Sequence, residues 1–185
     1  MADHDGQSTR VYLPATLAQL RHLADEGGST PLVSAPVQAH AVTAALRDWY
    51  VDADPRELDD ELEYAASSDA AERSLHLLAA DPLAPRRRVV LAVDVPAGHV
   101  RATPPTTMTG TGRSAVLITA DVPRAALVSV HVDDHDAVPD VRTAVEALPA
   151  AEAGDEDAQF VVEAVEGHEL LWYDATEVDD LIALD

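Results

Sequence analysis

The chain has 185 residues, and its 34 acidic residues against 12 basic ones give a formal net charge of -22. It contains no cysteine, which excludes disulfide bonds, thiolate nucleophiles and cysteine-ligated metal centres. Because binding to DNA, RNA or anionic lipid depends on cationic side chains, this charge disfavours nucleic acids and membrane surfaces as partners.

The length of the chain and its N-terminal residues set the expected organisation. Residues 1–9 hold no apolar run of the kind that a signal peptide needs, and no stretch approaches the roughly 20 apolar residues of a membrane-spanning helix. A chain of this length can bury one hydrophobic core. We therefore expect a soluble cytoplasmic protein with a flexible tail over residues 1–9 and a single domain over residues 10–185.

The first third of the sequence alternates strand and helix signals. Residues 10–13 predict a short strand, and Thr16 followed by Gln19 predicts the capped start of a helix. Residues 37–42 predict a second strand, and residues 44–50 predict a short helix. The chain is thus expected to open with strand, helix, strand and helix.

The middle third begins with the clearest helix signal in the chain. Residues 54–57, Asp-Pro-Arg-Glu, combine an N-cap, a proline at the first helical position and an acid in the first turn. The apolar stripe changes phase near Asp69, which could cap a second helix with Glu72, so either two helices or one kinked helix should follow, ending before Pro82. Residues 88–95 are apolar on both alternating faces and predict a central strand.

The last third contains one ambiguous segment. Residues 155–166 fit both a helical and a strand period, and we favour the helix, in which the acids of GDEDAQ would lie at the N-terminus. Residues 101–114, rich in Pro, Thr and Gly, predict a mobile loop. The other predicted elements are strands at 115–121, 126–132 and 169–174, a helix from Pro139 to Pro149, and a last helix capped by Thr176 with Asp179.

The interleaving of these elements predicts the fold class. Strands and helices alternate, but two predicted strands follow residues 88–95 without a helix between them. We therefore expect an α/β protein, with α+β as the alternative. It should form a single layered domain with a mixed sheet of about five or six strands and helices packed on it.

Several strings of residues resemble one protein family: RVYLPAT, ALRDWY, APRRRVV, SVHVDD, GDEDAQF and ELLWYD. From about Arg10 to the C-terminus, the chain resembles a family of actinobacterial proteins that is classed as a domain of unknown function. The resemblance implies no activity, cofactor or catalytic residue, so no site residue is transferred from it.

The densest cluster of potentially reactive residues is VSVHVDDHD at residues 128–136. In a strand, His131 and Asp133 share one face. Together with His135, and with a further ligand from elsewhere, they could bind Zn, Mn or Fe. Such a site would make the protein a metal-dependent hydrolase or another small-molecule enzyme. We favour the alternative, in which the run is the polar end of a strand and a turn in contact with water.

Two further groups of residues could bind a ligand. Arg86, Arg87 and Arg88 form a basic cluster that could receive an anion, although pairing with carboxylates at the edge of the sheet is the favoured interpretation. Trp49 and Trp172, each followed by a tyrosine, could line a pocket, although packing in the core is favoured.

The charge is also unevenly distributed, because no basic residue follows Arg142 while thirteen carboxylates do. The favoured hypothesis is a non-catalytic binding domain without a cofactor, which contacts a protein partner or a second copy of itself through an acidic surface with an aromatic anchor. An acidic mimic of nucleic acid is a further alternative. For the charge taken by itself, the favoured interpretation is that it serves solubility, because runs of charge are usually solvated faces.

Overall fold

The computed structural model describes residues 7–25, 30–50, 58–103 and 112–184. Over these residues the chain forms seven strands and six α-helices, which confirms the mixed α/β class. The strands are β1 (Ser8–Ala15), β2 (Val37–His40), β3 (Val89–Pro96), β4 (Val100–Ala102), β5 (Ala115–Ile118), β6 (Leu127–Asp133) and β7 (Leu170–Asp174). The helices are α1 (Leu17–Asp25), α2 (Ala44–Arg47), α3 (Leu58–Ala80), α4 (Val138–Glu152), α5 (Glu156–Ala164) and α6 (Val178–Leu184).

The described strands form one antiparallel sheet in the order β4-β5-β2-β1-β3-β6-β7. Tyr12 of β1 lies opposite His40 of β2, and β5 pairs antiparallel with both β2 and β4. The Ala97 N–H donates to the Gln7 carbonyl, so the end of β3 meets the start of β1. The two ends of the sheet are therefore β4 and β7.

The sheet differs from the predicted one in two respects. It has seven strands over the described residues instead of five or six, because β4 lies within residues 101–114, which were predicted to form a loop. Residues 104–111 of that segment are outside the described residues. The sheet is also antiparallel rather than mixed. The sequence places α1 between β1 and β2, yet these neighbouring strands run in opposite directions, so the helix is not a parallel crossover.

The chain divides into two compact units. The first comprises residues 1–13, 28–70 and 92–128, and the second comprises residues 14–27, 71–91 and 129–185. The boundaries fall within β1, α3, β3 and β6, so each of these elements contributes residues to both units. The single domain over residues 10–185 stays a prediction. The strand β1 begins at Ser8, inside the predicted tail, of which residues 1–6 lie outside the described residues.

The second unit is built around an aliphatic cluster. Its buried members come from the C-terminal half of α3, from α4 and from the segments beside them: Leu75, Leu78, Ala84, Ala137, Val141, Ala144, Val145, Leu148 and Val165. At the same helix, the hydroxyl of Ser74 donates to the Ala15 carbonyl and accepts from the Val89 N–H, at 2.7 and 3.0 Å. One buried serine therefore connects α3 with both β1 and β3.

The capping residues explain where two of the helices begin. Thr16 and Gln19 form the predicted reciprocal pair, in which each side chain accepts the other residue's backbone N–H. Asp155 accepts the N–H of Ala158 and caps α5, which confirms the helix favoured for residues 155–166. The predicted cap at residues 54–57 lies outside the described residues.

Of the two alternatives predicted for α3, the structure has a single helix of 23 residues, in which Asp69 accepts a hydrogen bond from Ser114 and does not cap a second helix. Two other predictions about helices were wrong. Pro149 lies inside α4, where its carbonyl accepts the Ala153 N–H, so the helix continues to Glu152. The segment before α6 is capped by Asp174 with Glu177, not by Thr176 with Asp179.

None of the described helices is both long enough and apolar enough to cross a membrane. A spanning helix is therefore not found in the described part of the chain.

Gly154 ends α4 in a conformation that favours glycine, with φ of 93°. The Gly154 N–H donates to the Ala151 carbonyl and the Asp155 N–H donates to the Ala150 carbonyl, which is the hydrogen-bond pattern of a Schellman motif. Because Asp155 also caps α5, this one turn ends α4 and starts α5.

We expect Gly154→Ala to lower the free energy of unfolding by about 1 kcal/mol, since a Cβ is unfavourable at this φ. Urea-induced unfolding measures the change. The matched control is Gly98→Ala, because Gly98 lacks a positive φ and a Cβ there would meet no atom within 4 Å. An equal loss in both variants would contradict the conformational explanation.

Candidate functional site

The two sites predicted from the sequence around Arg88 and Asp133 meet in a buried ion pair. Asp133, at the end of β6, has 0% of its surface exposed, and Arg88, just before β3, has 3% exposed. The Arg88 Nη2 donates to Asp133 Oδ1 at 2.7 Å, and Arg88 Nε donates to Oδ2 at 2.9 Å. The backbone N–H of Arg88 also donates to Oδ2, at 2.7 Å. Both carboxylate oxygens therefore have partners within the protein.

The basic cluster contacts backbone carbonyls as well. Arg87 Nε donates to the Asp133 carbonyl at 2.6 Å, and Arg88 Nη2 donates to the carbonyl of His168, just before β7, at 2.9 Å. Arg86 donates to the carbonyls of Leu78, Asp81 and Pro82 at the C-terminal end of α3. Pairing with a carboxylate is thus found for Arg88, but inside the sheet and not at its edge. Binding of an anion by the three arginines stays a prediction.

The proposed metal ligands have different surroundings from those expected. Ser129 and Asp133 are buried rather than exposed on a polar strand face, and Asp133 is held there by Arg88. His131 Nε2 lies 3.1 Å from Ser129 Oγ, and His135 lies in the exposed turn after β6. Among the described residues, no group of three or more His, Asp and Glu side chains is placed to hold a metal ion. The metal site at His131, Asp133 and His135 stays a prediction.

A buried serine, histidine and aspartate in the first unit have the composition of a catalytic triad but not its connectivity. Ser114 Oγ lies 2.8 Å from His40 Nδ1, and the Ser114 hydroxyl donates to Asp69. In a nucleophilic triad the histidine takes the serine proton and the acid contacts the histidine. Here the serine hydroxyl donates its hydrogen bond to the acid, and Ser114 has no exposed surface. The three residues therefore form a structural network between α3, β2 and the start of β5.

A polar cleft of about 320 Å³, which no sequence pattern predicted, also lies in the first unit. Its lining residues come from β1, α3 and the segments around α2: Ser8, Thr9, Arg10, Tyr12, Val42, Arg47, Asp59 and Glu63. These residues are up to 55 positions apart in the sequence (Ser8 to Glu63), so no local motif marks the cleft.

The ionisable groups that line this cleft have partners within the protein. Arg10 Nε lies 2.7 Å from Asp94 Oδ1, and Arg47 pairs with Asp59 at 2.9 Å. The hydrogen bond to Asp94 raises the pKa of Arg10. Tyr12 donates to Glu63 at 3.0 Å, and burial together with this carboxylate raises the pKa of Tyr12. Tyr12 thus remains a protonated donor at neutral pH, which makes it unsuited to act as a base.

The surface of the second unit offers an apolar site at the edge of the sheet. The strand β7 is last in the strand order and has β6 as its neighbour among the described strands. Trp172 is 59% exposed and Leu171 is 40% exposed. We call Leu170 to Asp174 the β7 edge. The prediction that Trp172 packs in the core was wrong, because neither face of β7 is fully covered: every residue of the strand is exposed or only partly buried.

The segments of sequence before and after the β7 edge are rich in carboxylates. Hydrogen bonds from the Thr176 backbone N–H and hydroxyl lower the pKa of Asp174, so this carboxylate keeps its charge. No arginine or lysine follows Arg142 in the sequence. Exposed acidic residues in the segments before and after the β7 edge are Glu163, Glu166, Glu169, Glu177, Asp179 and Asp180.

Trp49 in the first unit provides a contrast with Trp172. It is 63% exposed, so its predicted core position was also wrong. The guanidinium of Arg113 lies over its ring, 3.8 Å from the centroid. A cation therefore already occupies one face of Trp49. In the part of the chain that the structure describes, no such contact is found for Trp172.

We expect Asp133→Asn to lower the free energy of unfolding by about 3–5 kcal/mol, because Arg88 would keep a buried charge without its counterion. Urea-induced unfolding followed by circular dichroism measures the loss. Asp94→Asn is the matched control, since its pair with Arg10 is partly exposed and should contribute only about 1 kcal/mol or less. Equal losses in the two variants would contradict the structural role assigned to the buried pair.

Comparison with known proteins gives a family-level match. A family model described as "Family of unknown function (DUF6912)" matches residues 9–182. This confirms the resemblance to a domain-of-unknown-function family. No curated protein and no solved structure matches the chain.

Proposed function

Because the chain belongs to DUF6912, a family of unknown function, we propose a function from its own surface: it is a non-catalytic binding domain that holds a basic segment of another protein at the β7 edge. The proposal keeps the cytoplasmic location predicted from the sequence. The sequence-based hypothesis named only an acidic surface with an aromatic anchor, and here the binding surface is one strand, β7.

The exposure of Trp172 and Leu171 on an end strand carries the proposal. A tryptophan and a leucine with this much exposed surface lose contact with water when a partner covers them, and tryptophan is enriched among the residues that dominate binding energies. Trp172 also holds its position through the β6 pairing, in which it lies opposite His131. The side chain is therefore available to a partner and is presented by a regular strand.

The charge around the β7 edge selects the kind of partner. Thirteen carboxylates and no arginine or lysine follow Arg142, so this part of the chain attracts basic segments and repels acidic ones. A second copy of the chain would bring the same carboxylates against each other. Charge therefore favours a basic partner protein over a homodimer at this surface.

The role proposed for the reactive side chains is structural. Asp133 is bound by Arg88, Ser114 donates to Asp69, and Tyr12 donates to Glu63. Each group would have to give up a partner inside the protein before acting on a substrate. This supports binding over catalysis, with a metal-dependent enzyme using His131 and Asp133 as the alternative.

We expect the full chain to bind an octapeptide of alternating arginine and valine, and Trp172→Ala to weaken this binding by about tenfold or more, as the loss of an aromatic anchor does. Isothermal titration calorimetry at low ionic strength measures the dissociation constants. Higher salt should weaken binding, because exposed charges are screened.

Two controls accompany the titration. Trp49→Ala removes the other exposed tryptophan and should leave the dissociation constant within about twofold of wild type. An octapeptide of alternating glutamate and valine should not bind. The proposal is overturned if the basic peptide does not bind, if Trp49→Ala weakens it as much as Trp172→Ala, or if the acidic peptide binds equally well.

A further inference from the structure

We infer that the basic segment binds as an additional β-strand, paired through its backbone with Leu170 and Trp172 on the open side of β7. This inference rests on the proposed function and adds the mode of recognition to it. The direction of the backbone groups along β6 and β7 supports it.

The backbone of β6 sets which groups point toward β7. In an antiparallel sheet, the N–H and C=O of one residue point to the same neighbouring strand. The N–H and C=O of the next residue point to the strand on the opposite side. The Asp133 N–H donates to the Arg88 carbonyl at 3.1 Å, so the backbone groups of Asp133 point toward β3. By alternation, the backbone groups of His131 also point toward β3, whereas those of Val130 and Val132 point toward β7.

The register then identifies the open groups of β7. Val132 lies opposite Leu171 and Val130 lies opposite Tyr173, so these pairs exchange hydrogen bonds between β6 and β7. Leu170, Trp172 and Asp174 therefore point their backbone groups away from β6.

An independent contact agrees with this assignment. The Asp174 N–H donates to the Glu177 carboxylate at 2.8 Å, which lies outside the sheet. Glu177 thereby blocks the last outward N–H of the strand. The outward N–H and C=O groups of Leu170 and Trp172 remain directed at the position that a further strand would occupy.

The side chains of the β7 edge suit an extended basic segment. Leu171 and Trp172 project to opposite faces of the sheet, so a strand added beside them would place alternate side chains next to each. An apolar residue can pack beside Leu171, and an arginine on the other face can stack on the exposed indole of Trp172. The carboxylates of Glu169 and Asp174 flank these positions and complement the same positive charge.

Amide hydrogen exchange by NMR on the full chain, with and without the arginine–valine octapeptide, tests the inference. We expect exchange of the Leu170 and Trp172 amides to slow by about tenfold or more near saturation, because their hydrogen bonds form only with the peptide. The Leu171 and Tyr173 amides, already bonded to β6, are the internal controls and should change little. An N-methylated peptide of the same sequence should lose binding, since it keeps the charge but cannot donate backbone hydrogen bonds.

The outcomes distinguish failure of strand addition from failure of the proposed function. Slowed exchange at Leu170 and Trp172 alone supports strand addition. Binding that needs Trp172 but leaves both amides unprotected, or that tolerates N-methylation, overturns strand addition and leaves the proposed function standing. Failure of the peptide to bind overturns both. Protection of these amides that rises with protein concentration in the absence of peptide would identify a second copy as the occupant and would also overturn the inference.

Discussion

The buried ion pair of Arg88 and Asp133 is the interaction on which the second unit depends. Removing two charges from water is costly, and the cost is offset here because both oxygens of Asp133 and the guanidinium of Arg88 are hydrogen-bonded. The same guanidinium binds the carbonyl of His168, immediately before β7. The start of β3, the end of β6 and the approach to β7 are thus fixed by one pair of side chains.

This use of charge has a consequence for function. A carboxylate, three arginines and a buried serine that could have formed a reactive centre are instead bonded to the protein itself. The surface that we propose for a partner is the β7 edge, an end strand with exposed apolar side chains in a carboxylate-rich part of the sequence. Binding at this edge needs no rearrangement of the ion pair, since Asp133 faces Arg88 and Trp172 faces solvent.

The sequence predicts the features that depend on neighbouring residues. The cap formed by Thr16 and Gln19, the start of α5 at Asp155 and the buried strand near residues 88–95 are encoded by residues within one or two turns of each other. Arg88 and Asp133 are 45 positions apart, and the sequence-based predictions assigned them to two different sites, a basic cluster and a metal site. Trp172 is exposed on an end strand, and strand order is not visible in a local pattern.

The central claim is that this protein acts through Trp172 at the β7 edge while its apparently reactive residues maintain the fold. The most direct measurement is tryptophan fluorescence during titration with the basic peptide, because the chain contains only two tryptophans. In Trp49→Phe, emission from Trp172 should shift to shorter wavelength and saturate as the peptide covers the indole. In Trp172→Phe, emission from Trp49 should stay unchanged. A saturating shift of Trp49 with no response from Trp172 would contradict the account.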